Sequence, residues 1–318
     1  MADPHLSVVL PACNEREAVE GSLAEVFAAL AQLPQPSEVL VVDDGSTDGT
    51  AELVEAQIER QPSLRLIRLS RRFGKESALA AGLEHARGAY VALLDADLQD
   101  PPGEMLQMLA KAEQGYDVVY GVRRSRRSGL LRWLGYRAFY RLLRLISDLP
   151  VPLDSGDFSV LSRRVVDAID RLPERHRFLR GMRTWVGFRQ CGHLYDRPER
   201  RAGRSKYSLK DLCDLAVLGF LSCGRRPLAI VFQLGVALVG SGAAIGIAWA
   251  VLAASRAGEP WAAIAPWLTV LLVLAGVQLI AIGIVGAYLG RVLDQVEGRP
   301  RYLVERTVNC PPPTAPRP

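Results

Sequence analysis

Charge is missing from two long stretches of this 318-residue chain. From Pro227 to Ser255 there is no charged residue, and from Pro260 to Gly290 there is none again; only Arg256 and Glu259 lie between the runs. Each run exceeds the roughly 20 apolar residues that cross a bilayer. The whole-chain averages, 49% hydrophobic and 23% charged, match a globular protein. They exclude a disordered, collagen-like or disulfide-scaffold chain, but they average over a polar part and an apolar remainder. Cysteine is also sparse. Cys13, Cys191, Cys213, Cys223 and Cys310 form no CxxC pair and no metal-ligand spacing, which speaks against a structural zinc site and for isolated reduced thiols. Met1 to Leu10 lacks the basic start and long apolar core of a signal peptide, so the first domain is expected in the cytosol.

Acidic residues are absent between Val118 and Ser147, where eight arginines fall: Arg123, Arg124, Arg126, Arg127, Arg132, Arg137, Arg141 and Arg144. The net charge is +5. A basic balance suits nucleic acid, anionic lipid or phosphorylated substrates. In a chain with two apolar runs, the patch points to lipid headgroups and phosphates and not to nucleic acid. Within Gly129 to Asp148, Leu130, Leu131, Trp133, Leu134, Phe139, Leu142, Leu143 and Ile146 share a helix with arginines, as in a helix lying in a membrane interface. The same pattern also fits a surface helix packed on a sheet. A second such stretch, about 207–221, leads into the first apolar run.

Arg225 and Arg226 precede the first run, and Arg291, Arg299, Arg301 and Arg306 follow the second. The positive-inside rule places both flanks in the cytosol and makes the runs a hairpin, with spans at about 227–253 and 264–290. Gly242 with Gly246, and Gly286 with Gly290, sit at GxxxG spacing, which suits close helix packing and equally suits ordinary membrane-helix composition. The expected organisation is a catalytic domain over 1–222, a hairpin over 223–292 and a cytosolic tail over 293–318.

The first 120 residues alternate two periodicities. Apolar strands are predicted at Leu6–Leu10, Val39–Val42, Leu64–Leu69, Ala89–Leu94 and Asp117–Tyr120. Helices are predicted at Glu15–Leu33, Asp48–Arg60, Gly74–Ala86 and from Pro101 to about Glu113. Such alternation predicts an α/β fold with a parallel sheet, whose ligands bind at the carboxyl ends of the strands.

Two strands end in carboxylates. The fourth delivers Asp95-Ala-Asp97-Leu-Gln99-Asp-Pro-Pro102. Two carboxylates at i and i+2 after a buried strand are placed to hold a hard divalent cation, Mg²⁺ or Mn²⁺, that would bridge the oxygens of a nucleotide diphosphate. The second strand ends in Asp43-Asp44-Gly45-Ser-Thr-Asp48, where a carboxylate can accept hydrogen bonds from a base or ribose and Gly45 allows close backbone approach. By itself that stretch also reads as a turn and a helix cap.

Together with LPACNE at Leu10–Glu15, LSRRFGKE at Leu69–Glu76, SGDF at Ser155–Phe158, LPER at Leu172–Arg175, WVG at Trp185–Gly187, GRSK at Gly203–Lys206, and Gly290-Arg291 with RPRY at Arg299–Tyr302, these motifs run along nearly the whole chain. The chain resembles the family 2 glycosyltransferases of GT-A fold. More narrowly it resembles the polyprenyl-phosphate glycosyltransferases: the dolichol-phosphate mannose synthases and the bacterial bactoprenol glucosyltransferases, whose two-span carboxyl hairpin it shares. The resemblance implies a GT-A, Rossmann-like nucleotide-sugar domain with a C-terminal transmembrane hairpin. Pro11, Cys13, Glu15, Val42 and Asp44 would line the nucleotide site, though the family often has an aromatic residue in place of Cys13. Asp95 and Ala96 would touch the nucleotide sugar, and Asp97 with Gln99, beside Asp95, would hold Mg²⁺ or Mn²⁺. Arg123 and Arg126 would meet a phosphate, as would Arg200 and Lys206. A guanidinium fork matches phosphate oxygens, which agrees for Arg123. Asp157 would sit near the reacting centre, where alone it would read as a turn residue.

The implied reaction is a single in-line displacement with inversion. A lipid phosphate oxygen attacks the anomeric carbon and the nucleotide diphosphate leaves. The acceptor phosphate is already ionised near neutral pH, so Asp157 need only orient. UDP-glucose is the expected donor, with GDP-mannose or another nucleotide sugar as alternatives. The expected partners are this donor, polyprenyl (undecaprenyl) phosphate, membrane lipids and further copies of the chain, with residence in the cytoplasmic membrane and the catalytic domain on the cytosolic side. A processive synthase would carry a Gln-x-x-Arg-Trp signature, which Arg183-Thr184-Trp185 lacks. A nucleotidyltransferase would carry a Gly-rich basic loop after Leu10, which is also missing. A non-catalytic membrane subunit would have little reason to keep Asp95, Asp97, Gln99 and Asp157.

Overall fold

A computed structural model describes residues 3–96, 99–124, 155–172, 174, 178–196 and 260–310, with isolated positions between 233 and 244. The predicted interfacial helices at 129–148 and 207–221 lie outside the described residues, as does the first apolar run apart from those positions. The chain divides into two compact units: 1–144, 149–215 and 300–318 form one, and 145–148 with 216–299 form the other.

The first unit is built on an eight-stranded sheet in the order β7-β5-β6-β4-β1-β2-β3-β8. The strands are β1 (Leu6–Ala12), β2 (Ser37–Asp43), β3 (Leu64–Leu69), β4 (Tyr90–Leu93), β5 (Val118–Arg123), β6 (Ser155–Ser162), β7 (Gln190–Tyr195) and β8 (Val304–Val308). The helices are α1 (Arg16–Leu30), α2 (Thr50–Ile58), α3 (Lys75–His85), α4 (Pro102–Glu113), α5 (Arg163–Asp170) and α6 (Leu179–Trp185). Side chains alternate across the strands and feed two cores. On one face Val8, Leu10, Val39 and Val41 pack with Leu23 and Val26 of α1 and Met105 and Met108 of α4. On the other, Val9, Leu40 and Val42 pack with Leu79 and Leu83 of α3, Val165 and Ile169 of α5 and Met182 of α6. A strand buried on both faces must be apolar throughout, which is why β1 and β2 read as continuous apolar runs.

The expectation of a parallel sheet needs correcting. β1, β2, β3 and β4 are parallel, but β6 runs antiparallel to β4 and β5, and β8 runs antiparallel to β3. The helical crossover through α4 skips one strand position, and β6 fills it. From β1 the chain adds β2 and β3 on one side, then β4 on the other, so the strand order reverses beside β1. The crevice at that reversal, outside the strands' carboxyl ends, is where open α/β sheets place ligands. Residues 300–310 return to this unit. β8 caps the β3 edge, Tyr302 donates a hydrogen bond to Glu84 of α3, and Arg301 lies 3.6 Å from the same carboxylate.

The described part of the second unit is mainly α7 (Pro260–Glu297), 38 residues without a break. No helix among the described residues is long and apolar enough to cross a membrane; in α7 the side chains of 261–266 and several later positions lie outside the description. Among the described residues, a Cβ at Gly286 or Gly290 would meet nothing within 4 Å.

Candidate functional site

Sheet register assembles the carboxyl-end crevice. Pro11 pairs with Val42 and Ala12 with Asp43, so the loops after β1 and β2 leave the sheet side by side. They are laced together. The Asp44 N–H donates to the Ala12 carbonyl at 2.8 Å, and the Cys13 thiol lies 3.6 Å from the Asp44 carbonyl. Asn14, at φ 54°, receives the Thr47 N–H at 2.8 Å while its own N–H donates to Ser46 Oγ at 2.8 Å. The Glu15 N–H donates to Thr50 Oγ1 at 3.0 Å, which ties the start of α1 to the start of α2. Four sequence-predicted residues, Pro11, Cys13, Glu15 and Asp44, thus share one rim, and the fifth, Val42, lies beneath it on β2 with its side chain in the core.

Asp44 faces the next loop. Its carboxylate accepts the N–H groups of Phe73, at 2.7 Å, and Gly74, at 2.9 Å. Burial pushes its pKa up and these two bonds offset only part of that. The loops can meet because residue 45 is glycine: at φ 66°, a Cβ there would lie 2.5 Å from the Arg71 carbonyl carbon and 2.6 Å from the Arg72 nitrogen. Gly74, at φ 99°, turns the chain into α3, whose first residue is Lys75.

Lys75 joins the crevice together. Its ammonium lies 2.5 Å from Asp95 Oδ1, just past β4, and 2.8 Å from Asp157 Oδ2, on β6. Arg180, on α6, holds the other Asp157 oxygen at 2.7 Å. Asp157 is 7% exposed. Burial opposes its ionisation, but Lys75 and Arg180 outweigh burial and hold its carboxyl far below the usual range. Burial likewise opposes the Lys75 charge, and Asp157 and Asp95 outweigh it, raising that pKa. Glu76 accepts the Leu179 N–H at 3.2 Å, at the start of α6. Burial, with the Asp157 charge, pushes the Glu76 carboxyl up to about 7.

The loop after β4 is fastened at both ends. The Ala96 carbonyl accepts the Ser22 hydroxyl of α1 at 2.6 Å, and Asp100 accepts the Tyr195 hydroxyl of β7 at 2.6 Å. Gln99 is half-buried between them. Arg123, the last residue of β5, points Nη2 toward Gly156, where a Cβ would lie 3.4 Å away. Among the sequence-predicted residues, Asp95, Ala96, Gln99, Arg123 and Asp157 therefore join the rim. Asp97, Arg126, Arg200 and Lys206 lie outside the described residues. No group of three or more His, Cys, Asp or Glu side chains that would hold a metal occurs among the described residues.

Sequence reasoning gave no role to Lys75, Glu76, Arg180 or Arg183. Gly74-Lys75-Glu76 was the available signal, a glycine and two opposite charges opening a helix after a buried strand. Arg180 and Arg183 had none, because a basic residue on a short helix normally reads as solvated surface.

The model of Glycosyl transferase family 2 matches residues 7–170. An uncharacterized glycosyltransferase of Synechocystis is 37% identical over 303 residues, covering 94% of each chain. The SfII prophage-derived bactoprenol glucosyl transferase of Shigella flexneri is 35% identical over 303 residues, covering 95% of this chain and 98% of its own. A crystal structure of glucosyl-3-phosphoglycerate synthase from Mycobacterium tuberculosis superimposes with a TM-score of 0.49 at 20% identity, over 70% of this chain and 80% of that one. A mixed sheet of this order, a carboxylate-lined crevice at its strand ends, and similarity running through nearly the whole length lead to one conclusion: the chain is a glycosyltransferase and belongs to glycosyl transferase family 2.

Proposed function

We propose that this protein transfers a sugar, with inversion, from a nucleotide diphosphate sugar to polyprenyl phosphate, with UDP-glucose as donor and undecaprenyl phosphate as acceptor. One observation carries the proposal: Lys75 bridges Asp95 and Asp157, and so brings the donor edge of β4 and the start of β6 to one point at the strands' carboxyl ends. The bactoprenol glucosyl transferases, similar over 95% of this chain, supply the acceptor class and the sugar to try first.

The chain's own residues divide the work. The rim of Pro11, Cys13, Glu15 and Asp44, with the Val42 backbone beneath it, receives the nucleoside, and Asp44 fixes the loop that presents Lys75. Asp157 has both carboxylate oxygens bound by cations and is held ionised, so it takes up no proton near neutral pH. It is an orienting charge. An ionised acceptor phosphate needs no stronger base. Two anionic substrates must meet in the crevice, and Lys75, Arg180 and Arg123 offset their repulsion. Asp95, Asp97 and Gln99 carry the hard carboxylate and amide oxygens that Mg²⁺ or Mn²⁺ takes, and would be the residues to hold such an ion. Lys75 against Asp95 Oδ1 leaves Asp97 and Gln99 as the main ligands. When bound, the ion would neutralise the leaving diphosphate.

The C-terminal hairpin is proposed to anchor the protein in the cytoplasmic membrane, catalytic domain in the cytosol, as a homo-oligomer. Two uncharged runs with basic flanks support the anchoring. So do exposed Trp267, Leu271, Ile282, Val285 and Leu289 on α7, an apolar surface that water does not favour. The experiment is nucleotide diphosphate release by the full-length protein in detergent with undecaprenyl phosphate, Mg²⁺ or Mn²⁺ and a panel of nucleotide sugars. Release is expected to need both acceptor and metal and to be fastest with UDP-glucose. No release with any donor would favour a non-catalytic membrane subunit that kept the fold.

A further inference from the structure

Arg183 sits behind this crevice in a position that stability does not explain. It is 1% exposed, three residues after Arg180 on α6 and so on the same helix face. Its Nη1 donates to the Gly156 carbonyl at 3.1 Å, and its guanidinium lies 5.2 Å from the Tyr120 ring centroid. Nε and Nη2 are buried with no hydrogen-bond partner among the described residues, and no described carboxylate forms an ion pair with it. Burial draws its pKa down to about 10, which still leaves it charged at neutral pH. A buried cation so thinly paired is destabilising, and an apolar side chain of similar volume in its place is often neutral or stabilising.

The described hydrogen bond of the Arg183 side chain goes to the residue before Asp157, while its backbone carbonyl accepts one from Gln190 Nε2 at 2.7 Å. Gly156 is closed in from two sides, by Arg183 at its carbonyl and by Arg123 Nη2 where a side chain would begin. With Gly156 fixed, the next side chain has both oxygens in reach of Lys75 and Arg180, at 2.8 Å and 2.7 Å. We propose that Arg183 is a positioning residue: by holding the Gly156 carbonyl it sets the backbone that aims Asp157 at Lys75 and Arg180, and it affects sugar transfer only through Asp157. The proposal rests on the glycosyl-transfer reading above and adds to it a residue that touches neither substrate.

The test is a double-mutant cycle of Arg183→Met and Asp157→Asn in the full-length protein. Its readouts are nucleotide diphosphate release with acceptor, slow donor hydrolysis without it, donor affinity and thermal midpoint. Arg183→Met is expected to keep or raise the midpoint, leave donor affinity within about twofold and lower kcat at least about tenfold, with Arg183→Lys recovering part of the loss. In the Asp157→Asn background the same change is expected to cost less than about twofold, because the route through Asp157 is already cut. Additive losses, an unchanged kcat, or a kcat loss that tracks a fall in midpoint and donor affinity would each overturn the proposal. If Arg183→Met does not fold, Arg183→Gln carries the same cycle with the same outcomes. Turnover by the unmutated protein is measured alongside: its absence would count against the glycosyl-transfer reading, whereas turnover with an additive cycle would count against Arg183 alone.

Discussion

Gly45→Ala probes how closely two loops must approach for the crevice to form. At φ 66° an alanine pays about 1–2 kcal/mol for the left-handed backbone. Its Cβ would also stand 2.5 Å from the Arg71 carbonyl carbon and 2.6 Å from the Arg72 nitrogen, so the loops must part by roughly 1 Å to reach ordinary contact. Neither neighbour is a side-chain tip that could swing aside. The Asp44 bonds to Phe73 and Gly74, at 2.7 and 2.9 Å, do not survive that separation together. Losing one hydrogen bond to a charged group costs about 1.5–3 kcal/mol, so the substitution should cost about 2.5–5 kcal/mol in all. For a domain of this size that corresponds to a fall of about 5–20 °C in thermal midpoint, measurable by a thermal-shift assay in detergent. The functional effect should exceed the stability effect below the melting range, because Phe73 and Gly74 lead directly into Lys75. Donor affinity by calorimetry should weaken at least about tenfold, roughly 1.4 kcal/mol. A Gly45→Ala protein with an unchanged midpoint and unchanged donor affinity would refute the idea that this approach builds the site.

Three further expectations follow from the buried charges and the sheet edge. Asp157→Asn leaves Arg180 and Lys75 undercompensated and should lower stability by about 3–5 kcal/mol near neutral pH. The folded-state pKa of Asp157 is depressed, so this stabilisation is present above 3.8 and lost as pH falls through the lower folded value; the gap between variant and parent midpoints should narrow in acid. Glu76 behaves oppositely. Its folded pKa is raised from 4.5 to about 7, so stability is lost as pH rises through that window, and Glu76→Gln, whose amide oxygen can still accept the Leu179 N–H, should flatten the fall in midpoint between pH 4.5 and 7. A chain ending at Gly298 would lack β8 and the Tyr302 and Arg301 contacts to Glu84; with the β3 edge bared, it should melt lower and self-associate in size-exclusion chromatography, and unchanged melting and elution would argue against β8 as an edge cover.

Much of the sheet was legible in advance because burial on both faces forces a strand to be apolar. Leu6–Leu10 and Val39–Val42 could serve as little else, β1 merely runs on through Pro11 to Ala12, and Leu64–Leu69 keeps four apolar residues buried around the partly buried Arg65 and Arg68. The two Asp-bearing loops were legible for a related reason, since charged residues directly after an apolar strand mark its exit into solvent. β8 was not legible: Val304-Glu-Arg-Thr-Val308 alternates weakly, is largely exposed, and becomes a strand only against the free edge of β3. β6 and β7 were hidden similarly. Ser155–Ser162 carries a glycine, a carboxylate and serines that suit a strand only when β4 and β5 flank it.

The strand-helix alternation and the placement of Asp44, Asp95 and Arg123 at strand ends can be read from the chain alone, because they depend on local periodicity and on residue types at fixed spacing; the family resemblance rests on motifs that occur together along the chain. How the charges pair depends on the folded chain. Lys75, Asp95, Asp157 and Arg180 are as much as 105 positions apart in the chain, and nothing beside any of them in the sequence tells which charge it will meet. Folding brings them within 3 Å of their partners in a crevice that water only partly reaches, and there both carboxylate oxygens of Asp157 are bound by cations. Ion pairing between side chains so far apart in sequence leaves no local pattern to read; it exists only once the sheet has set β4 and β6 side by side.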